Sequence, residues 1–314
     1  MQSIPLRPVP RVPDERPPHL RLLPDGVERR PEWLRVRPPA GEGYNRLHSL
    51  MREMKLNTVC EDAHCPNIAE CWGHGTATFM ILGDVCTRAC AFCAVTSGKR
   101  GGDVDEDEPR RVAEAVARMG LRHAVVTSVD RDDLPDFGAE IFARTIAAIR
   151  EEAPGTTIEV LTPDFNGSEF SLRTVMAQVP EIFNHNVETV GRLYRRVRPK
   201  ADLLQSLRLL REAKHIEPRS TTKSGLMVGL GERVEEVHEL LGMMREHDVE
   251  VVTIGQYLRP SLKHHPLVRF WTPEEFASLR AYAMSLGFRH CESGPLVRSS
   301  YHAADQAVAA KAAG

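Results

Sequence analysis

Between residues 77 and 258 the chain alternates between two local signals, and this alternation narrows its fold more than any other feature. Short apolar, β-branched runs stand at "ATFMILG", "HAVVTSV", "TIEVLTP", "EIFNHNV", "TKSGLMVGL" and "VEVVTIGQYL". Helical patterns fill the intervals. In "PRRVAEAVARMG", Val112, Ala115, Val116 and Met119 recur at helical spacing, with Pro109 near the start and Gly120 as the stop. "RVEEVHELLGMMREH" carries a similar stripe through Val234, Val237, Leu240, Leu241 and Met244, whose methionine reads as core. Six strands alternating with helices imply parallel β/α units with right-handed crossovers. They form either an open doubly wound sheet or a barrel, complete or partial. In each case the working site belongs at the carboxyl ends of the strands.

Composition limits what the site can serve. The 41 Lys and Arg nearly balance the 43 Asp and Glu, so the formal charge of −2 gives no reason to expect general binding to nucleic acid or an anionic membrane. No stretch approaches the roughly 20 apolar residues of a membrane span, and the N-terminus lacks the apolar core of a secretory signal. Asp14, Glu15, Asp25 and Glu28 also argue against an organelle transit peptide, so the expected location is the cytoplasm. Ten of the 22 prolines fall in the first 40 residues, where no apolar periodicity survives. We therefore divide the chain into a Pro-rich flexible arm (1–40), an N-terminal extension (41–75) opened by a helix at "NRLHSLMREMKL", the β/α body (76–290) and a C-terminal segment (291–314).

Seven cysteines in a cytoplasmic chain point to metal or catalysis ahead of disulfides. Six of them fall in two triplets. Cys86, Cys90 and Cys93 are spaced CxxxCxxC in the loop after the first strand, on the functional face. A cubane iron–sulfur cluster held by three close thiolates keeps one iron open, and that iron can bind a small molecule. A zinc knuckle with a distant fourth ligand is the alternative. Cys60, Cys65 and Cys71, spaced CxxxxCxxxxxC, again offer three ligands, and here a zinc site completed by His64 or His74 is the alternative. Cys291 stands alone and reads as a buried thiol near the last strand.

With Phe92 before the last cysteine, "VCTRACAFC" resembles the radical S-adenosylmethionine (SAM) superfamily, and "GLMVGLGE", with Gly225, Gly229 and Glu232, resembles that superfamily's glycine-rich pattern for the SAM adenine and ribose. The resemblance implies a partial (β/α)6 TIM-like barrel. It also implies that Cys86, Cys90 and Cys93 hold a [4Fe-4S] cluster whose open iron chelates SAM. The two triplets in this order, together with "RSSY" at 298–301, resemble the lipoyl synthase family. Further stretches match it: "KLNTVCEDAHCPNIAECW", "TSVDRDDLPD", "VLTPDFNG", "NHNVETV", "KSGLMVGLGE" and "TIGQYLRPS". Phe137 and Thr162 depart from it, standing where a glycine and an apolar residue are usual.

That resemblance implies a second, auxiliary [4Fe-4S] cluster held by Cys60, Cys65, Cys71 and Ser300. This cluster is the sulfur donor and is dismantled in turnover. A serine oxygen is a harder ligand than thiolate and leaves a cluster iron more readily. The implied reaction inserts sulfur at C6 and C8 of an octanoyl chain on a carrier lysine. The carrier is the lipoyl domain of a 2-oxoacid dehydrogenase or the glycine cleavage H protein. An electron donor such as flavodoxin or ferredoxin and a cluster-repair protein complete the expected partners. By position and resemblance, Asn186, Glu188 and Lys223, with Gly225 and Gly229 of the glycine-rich pattern, are expected to hold SAM; a helix cap or a surface salt bridge is the alternative for each of the first three. Arg298 either steers the cluster's charge or pairs with a carboxylate. The rival readings are a radical SAM methylthiotransferase and a non-catalytic zinc-binding module.

Overall fold

A computed structural model describes residues 30–36, 42–62, 65, 67–73 and 78–306. Among the described residues ten strands are present: β1 (Asn57–Thr58), β2 (Thr78–Ile81), β3 (Val85–Cys86), β4 (Thr96–Ser97), β5 (His123–Ser128), β6 (Thr157–Leu161), β7 (Ile182–Asn184), β8 (Thr221–Val228), β9 (Val251–Gln256) and β10 (His290–Gly294). Eight of them form one sheet in the order β1-β2-β5-β6-β7-β8-β9-β10. From β2 to β10 every pairing is parallel, while β1 runs antiparallel on β2. The two end strands do not pair with each other, so this is a partial barrel. The remaining two strands, β3 and β4, pair only with each other and frame the CxxxCxxC loop.

All six expected strands are present, and β10 is a seventh parallel strand that sequence reasoning missed. Its sequence, "HCESG", has no apolar run because it is an edge strand with one fully buried residue, Cys291. Burial pushes that thiol up to about 12, in keeping with an inert core cysteine.

The helices are α1 (Glu42–Glu53), α2 (Val59–Asp62), α3 (Ile68–Gly73), α4 (Glu108–Met119), α5 (Ala139–Glu152), α6 (Glu169–Met176), α7 (Tyr194–Val197), α8 (Leu203–Ile216), α9 (Val234–Glu246) and α10 (Pro273–Ser285). The stop expected at Gly120 is realised: it takes φ 63° and its N–H closes the last turn of α4. Leu47, Leu50 and Met51 bury one face of α1, joined by Met54 just past its end, and Tyr44 stacks on the fully buried Trp72 of α3. This packing presses the N-terminal extension against the body and sets Cys60, Cys65 and Cys71 beside it. Most of the arm, and also His64 and His74, lie outside the described residues.

The barrel interior carries a charged layer below its mouth. Lys223 Nζ donates to Glu159 Oε1 at 2.9 Å and Oε2 at 3.1 Å, and Asn184 Nδ2 donates to Glu159 Oε1 at 2.8 Å. His123 Nε2 stands 3.5 Å from Glu159 Oε2. Lys223 and Glu159 are both sealed from solvent.

Candidate active site

At the carboxyl ends of the strands lies a cavity of about 780 Å³. Its wall includes Cys86, Cys90, Phe92 and Cys93 from the loop after β2, Asp130 after β5, Thr162 after β6, Asn186 and Glu188 after β7, Gly225 and Met227 of β8, and Gln256 of β9. Arg30 and Val36, at the end of the proline-rich arm, line it too. The cysteine loop is clamped from several sides. Ala91 N donates to Val197 O of α7 at 2.8 Å, His265 N donates to Ala91 O at 2.7 Å, and Lys200 Nζ donates to Thr87 O at 2.7 Å. The β3–β4 ladder holds its other margin, where Gly98 N donates to Cys86 O.

Arg88, inside the CxxxCxxC loop, escaped sequence reasoning and proves to be its main anchor. Its guanidinium binds Asp132 bidentately at 2.9 to 3.2 Å, donates to Asp164 Oδ1 at 2.6 Å and lies 3.3 Å from Asp130 Oδ1. One buried side chain thus joins the loops after β2, β5 and β6. Burial alone would raise the Asp164 carboxyl, but Arg88 holds it down at about 2. The available signal was the acid-rich "DRDD" after a strand, whose partner only the fold reveals. Arg88→Gln leaves Asp164 buried without its cation, so we expect a loss of about 3–5 kcal/mol in stability together with lower iron retention by the loop. Denaturant unfolding and iron analysis check this, and wild-type values in both would remove the anchoring role. Lysine, a point donor, should not restore the three-way contact.

Among the residues expected to hold SAM, Asn186, Glu188 and Gly225 line the cavity. A Cβ at Gly225 would come within 2.6 Å of Thr253 Oγ1 and 2.8 Å of Asn186 Oδ1, so any side chain there would crowd the wall. Burial pushes the Glu188 carboxyl up, opposed by Arg198. Lys223 and Gly229 do not line the cavity and need correction. The Lys223 ammonium is engaged with Glu159 inside the barrel. Gly229 takes φ +107° in the turn after β8, where its N–H and that of Leu230 donate to Glu232; Glu232 also accepts from Trp271 Nε1 at 2.9 Å. In this chain the glycine-rich motif therefore divides: Gly225 shapes the wall, while Gly229 and Glu232 build the turn behind it.

The two departures noted in the sequence have structural counterparts. Phe137 adopts φ 56°, the left-handed conformation in which glycine is the unstrained choice. Thr162 lies in the cavity wall with its hydroxyl buried and unpartnered among the described residues.

A second, small cavity is lined by Cys60, Cys65, Cys71 and Ser300, with Asn67, Thr78, Arg298 and Tyr301. Residues some 230 positions apart meet here because β10 delivers the chain end to the carboxyl side of the sheet. Asn67 Nδ2 donates to Leu296 O at 2.7 Å, and Tyr301 Oη donates to Glu70 at 3.1 Å. Cys65 and Arg298 line both cavities and so form part of the partition between them. Arg298 is half-buried, donates to Val297 O at 2.7 Å and makes no ion pair among the described residues; desolvation lowers its pKa, opposed by nearby Cys65 and Glu188.

The donor sets fit iron–sulfur clusters. All seven cysteines are free thiols, and each triplet faces one cavity. Burial, reinforced by neighbouring thiols, raises Cys60 to about 11 and Cys71 to about 12. Burial likewise raises Cys90 to about 12 and Cys93 to about 11. Such thiols ionise only beside concentrated positive charge, which bound iron supplies. The larger cavity also suits a polar ligand. Asn186 Oδ1, Arg198 Nε, Ser128 Oγ and Thr162 Oγ1 are all buried in its wall without hydrogen-bond partners among the described residues, a costly arrangement that a ligand would relieve.

A partial parallel barrel with a CxxxCxxC loop at its carboxyl mouth defines a radical SAM protein. The sequence model of the Radical SAM superfamily matches residues 80–244, and that of the N-terminal domain of lipoyl synthase matches residues 14–65. Among solved structures, methylornithine synthase (PylB) superposes with a TM-score of 0.52 at 17% identity, covering 88% of this chain and 77% of that one. At that identity the likeness shows the fold. The chain is 56% identical over 304 residues to the lipoyl synthase of Rubrobacter xylanophilus, covering 96% of this chain and 94% of that protein. It is 57% identical over 282 residues to that of Koribacter versatilis, covering 90% and 92%. The chain belongs to the lipoyl synthase family, and the methylthiotransferase and zinc-module readings give way.

Proposed function

We propose that the two cavities are the working parts of a lipoyl synthase, which inserts sulfur at C6 and C8 of a protein-bound octanoyl chain. Its cofactors are two [4Fe-4S] clusters and SAM. When bound, the cluster of the larger cavity supplies the electron that splits SAM, releasing a 5′-deoxyadenosyl radical able to remove hydrogen from unactivated carbon. The auxiliary cluster is the sulfur-donating substrate.

On this reading Cys86, Cys90 and Cys93 hold the SAM cluster, and Asn186, Glu188 and Gly225 shape the SAM pocket. Cys60, Cys65, Cys71 and Ser300 hold the auxiliary cluster. Cys65 and Arg298 keep the two chemistries adjacent while separating their ligands. The single observation carrying this assignment is that Ser300 shares one cavity with the N-terminal cysteines.

The finer partners belong to the same proposal: an octanoylated lipoyl domain or glycine cleavage H protein as carrier, a flavodoxin or ferredoxin as electron donor, and a cluster-repair protein. So does the division into arm (1–40), extension (41–75), barrel (76–290) and C-terminal segment (291–314), with the N-terminal family match from residue 14 overlapping the arm. No helix among the described residues is long and apolar enough to cross a membrane, which supports the cytoplasmic placement.

The test is anaerobic: reconstituted protein, SAM, dithionite and an octanoylated carrier domain, followed by intact mass. We expect two hydrogens to be replaced by two sulfurs, with two 5′-deoxyadenosines released per carrier. Deoxyadenosine without change in the carrier would sink the substrate assignment and leave the radical site standing.

A further inference from the structure

The surface around the cysteine loop carries a cluster of exposed cations without acidic partners among the described residues. Besides the loops after β5 and β6, whose Asp130, Asp132 and Asp164 are engaged by Arg88, three segments are hydrogen-bonded directly to that loop: residues 94–102, through Gly98 to Cys86; residues 191–201, through Val197 to Ala91 and Lys200 to Thr87; and residues 257–268, through His265 to Ala91 and His264 Nε2 to Cys93 O at 3.0 Å. Together they carry nine Lys or Arg residues and no Asp or Glu, in a chain whose formal charge is −2. The basic run "YRRVRPK" thereby acquires a place in the fold, where composition alone suggested only a solvated helix face.

These cations differ in what they do. Arg192 is paired with Glu236 at 2.7 Å, Arg198 is buried in the cavity wall, and Arg259 donates to His264 O and Leu262 O within its own loop. Arg195, Arg196, Lys99, Arg100 and Lys263 are exposed, and their side chains make no ion pair or hydrogen bond among the described residues. The loop they surround reaches solvent at Ala89, immediately before Cys90. At that point the cysteine loop is open to a partner approaching from outside the barrel.

We propose that this face is the docking site for an acidic one-electron carrier protein, one bearing a low-potential flavin or iron–sulfur centre. The inference rests on the reading of Cys86, Cys90 and Cys93 as cluster ligands. One electron leaves the reduced centre of the partner and enters the cluster behind Ala89; no bond forms or breaks and no proton moves in that transfer. Clustered unpaired cations speed encounter with an anionic partner by about 10- to 1000-fold at low salt and lose that advantage as ionic strength rises. They also orient the partner toward the loop. A carrier domain, by contrast, must deliver an octanoyl chain into the cavity mouth, where Arg30 and Val36 stand.

The test uses the cluster-loaded full chain and a reduced acidic ferredoxin. In Arg195→Glu/Arg196→Glu, the rate of cluster bleaching by ferredoxin should fall about tenfold or more at low salt, and ferredoxin affinity measured by calorimetry without SAM should weaken in parallel. The wild-type rate should fall steeply with added salt. Dithionite-driven SAM cleavage and product formation should be unchanged, because neither arginine lines a cavity. Lys263→Glu, from a different segment, should weaken ferredoxin binding in the same direction. Unchanged ferredoxin-driven bleaching in both variants overturns the proposal. So does a raised KM for the octanoylated carrier under dithionite with normal ferredoxin kinetics, which assigns the face to the carrier instead. Failure of wild-type protein to cleave SAM with dithionite would sink the underlying radical SAM reading, an outcome separate from either.

Discussion

Ser300→Ala is expected to abolish sulfur insertion while leaving SAM cleavage intact. Ser300 lines the small cavity with Cys60, Cys65 and Cys71 and has no place in the wall of the larger one. Losing its hydroxyl removes one of four ligands to the sulfur-donating cluster and none from the SAM site. Loss of a partner in the outer shell of a metal site costs roughly 10- to 100-fold, and loss of a ligand should cost more. We therefore expect dithiolated product to fall by about 100-fold or beyond, with 5′-deoxyadenosine still released. The complementary Cys86→Ala/Cys90→Ala/Cys93→Ala variant should retain about four of about eight irons and release no deoxyadenosine. Iron and sulfide analysis with product mass reads both. Normal insertion by Ser300→Ala would remove that residue from the ligand set.

Lys223→Met is expected to have a large effect on stability, matching that of Arg88→Gln. Lys223 and Glu159 are fully sealed inside the barrel, and losing the ammonium would leave a buried carboxylate facing only Asn184 and His123. Breaking such a pair costs about 3–5 kcal/mol. Adding Glu159→Gln should recover most of the loss, since the amide keeps an acceptor for Asn184 without a charge. Urea unfolding of the three proteins measures this, and a cost below about 1 kcal/mol for Lys223→Met would contradict it. Folded Lys223→Met should bind SAM normally, which separates its barrel role from the ligand contact expected by position.

The pair also has a pH signature. Burial alone would raise the Glu159 carboxyl; Lys223, helped by His123, overrides burial and holds it down at about 2. A depressed carboxyl stabilises the fold fully above its unfolded value near 4.5 and loses that contribution as pH falls toward about 2. Acid unfolding of wild type should therefore steepen across that window, and the double variant should lack this component.

Much of the architecture was legible because it is written in local periodicity. Six apolar runs separated by amphipathic stretches can bury both faces of a parallel sheet only by placing helices outside it. The CxxxCxxC spacing fixed a three-ligand site on one loop, since three thiols within eight residues need no tertiary contact to stay together. The Cys60, Cys65 and Cys71 triplet was equally local. Local patterning failed where an element draws its stability from neighbours. Strand β10 buries one residue fully and reads as polar, and Arg88 looks like an ordinary loop arginine until three acidic residues from other segments surround it.

What the sequence determined by itself was therefore the chemistry of each local group: two thiol triplets, a glycine-rich strand end and a β/α alternation. Tertiary structure decided which groups act together. It carried Ser300 across more than 200 residues to the N-terminal cysteines, because β10 pairs beside β9 and ends on the same face as the cysteine loop. It turned Lys223 into the barrel, since a side chain on a parallel strand faces the interior or the helices according to register, and register is set by the neighbouring strands.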